Sequence, residues 1–138
     1  FWLGGFESST HIRRDGRRLD LVASTQHDRF AERDYKRLRS LGMQTARDGI
    51  RWHLIEQRAG RYDWSSALPL VCAAQAQKME IIWDLFHYGW PDGLDILSTQ
   101  FVDRFAAFSR AFAKLLRDET DGPHFLTPVN EISFFSWA

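Results

Sequence analysis

The chain has 138 residues, 44% hydrophobic and 14% aromatic with six Trp, and its formal net charge is zero. That is enough apolar material for one globular domain over residues 1–138, and the neutral balance gives no electrostatic case for nucleic acid or an anionic membrane as partner. The single cysteine, Cys72, excludes an internal disulfide and fits a reducing, cytoplasmic setting, while no apolar run approaches the length of a membrane span.

Phe1 to Ser9 reads as a short strand entering a small-residue loop, where Gly4 and Gly5 let backbone pass close to a neighbour or a ligand. Because the sequence opens inside this strand, the protein's N-terminus and any targeting signal are expected upstream. The glycines lack dinucleotide-fingerprint spacing and no helix follows at once, which argues against phosphate binding. His11 to His27 is a polar loop turning at Asp15-Gly16; its four arginines form either a solvated tip or a grip on an anionic group. Asp28 to Leu41 has helical spacing, with Asp28 as N-cap, Phe30, Asp34 or Tyr35, Leu38 and Leu41 on one face, and Gly42 as the stop. Met43 to Ile50 follows as a second strand. Arg47 inside it must find a partner, because an unpaired buried cation costs several kcal/mol. Asp48 or Asp84 would make that a structural ion pair; a role in a site is the other possibility.

Gly60 to Ser66 is a turn, with Asp63 or Ser65 capping a second helix that tolerates Pro69 near its first turn. Leu68, Val71, Cys72 and Gln75 or Ala76 form the inner face, and with no His or Lys beside it Cys72 reads as a buried, inert thiol rather than a nucleophile. Met79 to Phe86 is a third strand, nearly continuous in apolar residues, delivering His87-Tyr88-Gly89-Trp90-Pro91 to its C-terminal end. Counted back from His87 by strand alternation, Asp84 is expected to face the helices, as Asp48 does relative to Arg47. Ser98 or Thr99 opens the longest helix, with an apolar stripe of Phe101, Val102, Phe105, Phe108, Phe112, Leu115 and Leu116. After Asp121-Gly122-Pro123, a fourth strand from His124 ends in Asn130-Glu131.

The alternation of strands and helices demands an α/β fold with a parallel sheet. A closed barrel needs eight strands and about 250 residues. Four strands therefore make either a small open sheet or the N-terminal half, strands one to four, of a (β/α)8 TIM barrel. Such barrels keep catalytic groups at the C-terminal strand ends, where Glu131 and Asn130 fall. Glu131 either begins a solvated loop or works as an acid beside an amide that can orient a hydroxyl. The five histidines lack metal-ligand spacing, no Gly-x-Ser-x-Gly elbow occurs, and neither metal nor cofactor is expected.

Over nearly its whole length the chain resembles the N-terminal half of the family-one, β-glucosidase-like glycoside hydrolases of the clan of retaining (β/α)8 glycosidases. Phe1 to Ser8 is similar to that family's first strand, which ends in Ala-Thr-Ser shortly before a sugar-binding Gln; His11 stands near the Gln position. Arg47, Ile50 and Trp52 keep the spacing of a strand-two Arg followed by Ser-Ile-x-Trp, with Gly49 for Ser. Leu85 to Pro91 resembles Leu-Tyr-His-Trp-Asp-Leu-Pro, and Thr127-Pro128-Val129-Asn130-Glu131-Ile132 resembles Thr-Phe-Asn-Glu-Pro with Ile132 for Pro. The resemblance implies a retaining β-glycosidase acting on a β-linked glycoside or oligosaccharide. Glu131 would be the general acid/base, Asn130 would hold the 2-hydroxyl, and Arg47 would orient a nucleophilic carboxylate on strand seven. His87, His11 and Trp90 would contact substrate. Neither Asp48, Asp84, Glu7 nor Glu56 suits the nucleophile, so the site is half a site, inert alone, to be completed by the missing half-barrel or another copy. From a different class, the chain reads as a non-catalytic sugar-binding or assembly module derived from a half-barrel. A third reading is an unrelated barrel enzyme that shares only the fold.

Overall fold

The computed structural model describes residues 2–137, with residue 137 by its backbone only; Phe1, counted into the first strand above, lies outside the described residues. The elements run β1 (Leu3–Gly5), α1 (Leu21–Ser24), α2 (His27–Ser40), β2 (Thr45–Gly49), α3 (Trp52–Ile55), a 3-10 turn (Trp64–Ser66), α4 (Leu68–Ala76), β3 (Glu80–Asp84), α5 (Thr99–Glu119), β4 (Phe125–Thr127) and α6 (Ile132–Trp137). All strand pairs are parallel in the order β1-β2-β3-β4, with Gly5 beside Arg47, Arg47 beside Ile82 and Asp84 beside Thr127. This is the expected α/β fold of strands one to four of a barrel, its loops after each strand gathered at one end of the sheet.

The core lies between the sheet and its helices. Trp52 has no solvent exposure and packs against Phe86, Phe101, Phe105 and Phe108, while Phe112 meets Trp83 edge-on. Its indole N–H donates to the buried Glu56 at 2.7 Å, and Arg104 reaches that carboxylate from α5 at 3.1 Å. Ser98 caps α5 as expected, accepting from the Phe101 amide, and Pro69 sits in the first turn of α4.

Several local expectations are corrected. The α2 helix starts a residue early behind Gln26, which is left-handed at φ 60°; Asp28 lies in the first turn and accepts from Arg51. Its buried side is His27, Ala31 and Tyr35, with His27 and Tyr35 bonded to Asp48 of β2, which leaves Phe30 and Leu41 exposed. Cys72 is exposed because α4 buries Leu70, Val71, Ala73 and Ala74, a face rotated from the expected one. Val102 lies off the buried stripe of α5. The short helix α1 falls within the stretch read as a polar loop, and α3 lies in a stretch given no element; Asp20 caps α1 through the Ala23 amide.

Candidate active site

Neighbouring residues of β2 point to opposite faces, and both are charged. Asp48 faces the helices with no exposure and accepts from His27 Nε2 at 2.8 Å, the Gly49 amide at 2.7 Å and, through a short bond, the Tyr35 hydroxyl. The other ring nitrogen of His27 meets Asp34 at 2.9 Å, and the ring stacks on Phe6 at 3.9 Å. Burial would push His27 down, but the two carboxylates outweigh it and hold the imidazole above its ordinary range. With a carboxylate at each nitrogen, the ring is placed to donate from both when it carries its second proton.

Arg47 faces the other way. Its Nε donates to Asp84 Oδ1 at 2.8 Å, and a terminal nitrogen donates to Asn130 Oδ1 through a short bond. The expectation that Asp84 faces the helices is therefore wrong. β3 ends at Asp84, and the chain from Leu85 to His87 no longer alternates, so counting back from His87 across that bend inverts the face. The register gives the right answer: Arg47 pairs with Ile82, and Asp84 lies two residues on. Asn130 is buried, with its backbone N–H donating to Phe86 O at 2.9 Å. Glu131 follows at φ 45° and accepts from the hydroxyl of Tyr88, itself at φ 61°. A non-glycine residue held there costs about 1–3 kcal/mol, so strained backbone is concentrated at this spot. Partial burial and then the Glu131 carboxylate push the Tyr88 phenol up to about 12.

His87 completes the group. Its Nδ1 lies 3.0 Å from Ser8 Oγ and its Nε2 3.6 Å from Glu7 Oε1. Burial is the largest influence on the ring and, with Arg47 nearby, keeps it below its ordinary range despite Glu7, Asp84 and Glu131. Burial would raise Glu7, yet hydrogen bonds from Ser9 and the neighbouring His87 hold it below the usual carboxylate value. A Cβ on Gly49 would sit 2.2 Å from Ser8 Oγ, so Gly49, the departure from Ser noted above, makes room for Ser8.

Of the residues singled out from sequence, Arg47, His87, Asn130 and Glu131 line one open cleft, together with Glu7 and Asp84. His11 does not line it; its carbonyl accepts from Leu19 in the first loop. Trp90 does not either, for it packs between Phe86, Phe101 and Phe135 and donates to Leu94 O at 2.9 Å. Arg18 is no solvated tip. It ties the first loop to the third, donating to Thr10 O, Trp90 O and Asp92. The sequence reading offered Asp84 as an ion-pair partner for Arg47 but put it on the wrong face, and it set Glu7 aside, though Glu7 stands two residues beyond Gly5, the register partner of Arg47. Among the described residues no cluster of three His, Cys, Asp or Glu side chains could hold a metal, and no helix is long and apolar enough to cross a membrane.

No protein-family model matches the chain, and no curated protein matches it by sequence. Solved structures do. The exo-β-1,4-mannosidase Op5Man5 from Opitutaceae bacterium strain TAV5 is 20% identical with a TM-score of 0.63, covering 84% of this chain and 22% of its own. The fold is that of part of a TIM barrel. A family 1 β-glucosidase from Thermotoga maritima matches at 18% identity and TM-score 0.64 over 76% of this chain and 25% of its own. The apo β-glucosidase 1317 matches at 18% identity and 0.67 over 81% and 30%. The chain thus spans between 22% and 30% of the length of these three proteins.

Proposed function

We propose that these residues supply the acid/base side of a retaining β-glycosidase site acting on a β-linked glycoside. The reading rests on one observation: Arg47 holds the Asn130 carbonyl oxygen next to Glu131, in a cleft shared with His87 at the C-terminal strand ends. With that oxygen occupied, Asn130 offers N–H donors, the polarity needed to hold a sugar 2-hydroxyl as it tightens in the transition state. Glu131, exposed and bonded only at its edge by Tyr88, protonates the departing glycosidic oxygen and then activates the water that frees the sugar. The nucleophilic carboxylate, about 5–5.5 Å from Glu131 in a retaining enzyme, comes from outside these 138 residues, through a second half-barrel or another copy.

The test is Glu131→Ala in the polypeptide that completes the barrel. Hydrolysis of glycosides with poor leaving groups should fall most, because those need protonation. Activated aryl glycosides should still load the enzyme, which accumulates as glycosyl-enzyme; azide, needing no base, should restore turnover and yield a β-glycosyl azide. Unchanged hydrolysis by Glu131→Ala sinks the acid/base assignment. Measurable hydrolysis by the 138-residue chain alone sinks the external nucleophile, and glycoside binding without turnover in the completed polypeptide supports the sugar-binding module instead.

A further inference from the structure

Glu7 and His87 face one another across the cleft without being bonded. The 3.6 Å between Oε1 and Nε2 exceeds hydrogen-bond reach, yet one oxygen atom placed between them lies within reach of both. Both groups are held. Ser8, only 1% exposed, fixes the ring from behind at Nδ1, and the Thr10 amide donates to the His87 carbonyl at 3.1 Å. The Ser9 amide donates to the same Glu7 oxygen at 2.9 Å. A carboxylate only accepts, so the proton of the neutral ring belongs on Nε2 and the Ser8 hydroxyl donates to Nδ1.

The cleft therefore places an N–H donor and a half-exposed carboxylate, tethered by the Ser9 amide, within reach of one point. A hydroxyl satisfies both through a single atom. An ether or a ketone cannot donate, and an ammonium cannot accept. We propose that Glu7 is a specificity-determining residue that, with His87, seats one hydroxyl of a neutral sugar: Nε2–H donates to its oxygen and Glu7 accepts its proton. The sugar as ligand class rests on the glycosidase reading; the hydroxyl rests on the donor–acceptor pair. With Glu7, Asp84 and Glu131 set against Arg47, the same cleft turns away a uronate or a phosphorylated sugar.

The experiment is an NMR titration of the full chain, isotope-labelled, with methyl β-D-glucopyranoside and methyl β-D-mannopyranoside. The tighter binder is then tested with each hydroxyl replaced in turn by fluorine, which cannot donate, and as the corresponding uronide. The expected result is that the parent glycoside shifts the Asn130 and His87 signals, and that one fluorinated analogue binds about tenfold more weakly. That difference should vanish in Glu7→Ala, and the uronide should not bind. Glu7→Gln, which can retain the Ser9 bond, should bind the uronide and so shows that charge rather than folding is read. The imidazole nitrogen shifts of His87 should report the Nε2–H tautomer, and Ser8→Ala should mix the tautomers. If Glu7→Ala binds glycosides but ranks the analogues as the parent chain does, the role of Glu7 is overturned and the glycoside reading stands. If no glycoside shifts the Asn130 signal, the glycoside reading falls and this inference with it.

Discussion

The two faces of β2 treat charge in opposite ways. Behind the strand, Asp48 is sealed and saturated by His27, Tyr35 and the Gly49 amide. In front of it, the Arg47 side chain is 38% exposed and shared between Asp84 and Asn130 in an open cleft. A saturated buried carboxylate has nothing left to offer a ligand, and its worth lies in holding α2 against the sheet. A half-exposed guanidinium with two partners can reorganise around a third. Proximity in sequence therefore says little about role; the direction of the side chain decides it.

The largest effect should come from breaking the sealed side. Asp48→Ala takes the acceptor from His27 Nε2 and from the buried Tyr35 hydroxyl and should cost about 3–5 kcal/mol in denaturant melts. His27 also gives this face a pH signature. Its pKa is raised in the fold, so its contribution is full below the unfolded value of 6.5 and fades as pH rises through the higher folded value. Asp48→Asn should flatten that decline; an unchanged slope would mean the network does not hold the proton.

On the open side the penalty should be smaller. Arg47→Met leaves the buried Asp84 carboxylate without its partner and should cost about 1–3 kcal/mol, because solvent reaches the cleft and screens the loss. Adding Asp84→Leu should recover most of it. If the double variant is no better than the single, Asp84 is not the group that Arg47 neutralises.

These two sides also show what was legible beforehand. The alternation of elements, Arg47 in a strand, and His87 and Asn130-Glu131 at strand ends are periodic or local features, and each is visible in a few adjacent letters. Asp84 was legible as a possible partner of Arg47, but its face was not, because that depends on where β3 stops, and no residue among Asp84, Leu85 and Phe86 announces the bend. The His27–Asp48 contact joins residues 21 apart through a helix packing no local pattern encodes. Cys72 was misread by the small rotation of α4 about its axis.

Two smaller effects sharpen the contrast. Burial first, then Arg18 and Arg51, hold His53 down to about 4. Since its folded pKa lies below the unfolded 6.5, stability should fall as pH drops from 6.5 towards 4, opposite in sense to His27. His53→Gln should remove that acid-side slope in urea melts taken across the window. The least effect belongs to Tyr88. Replacing Glu131 with Gln should bring its phenol back from about 12 towards 10 in an ultraviolet titration, with little change in stability. A phenol still titrating near 12 would break the assignment of Glu131 as its partner.

The strand order carries a consequence for how the chain is made. Each strand pairs with the one synthesised before it, so sheet growth can keep pace with translation and never waits for a distant partner. Arg47 emerges first and is neutralised by Asp84 as soon as β3 adds. Asn130 arrives last, with the loop after β4, and joins an ion pair already formed. Since Asp84 is synthesised before Asn130, it is the first of the two partners of Arg47 that the growing chain supplies, and the cation need not wait for β4 to be neutralised.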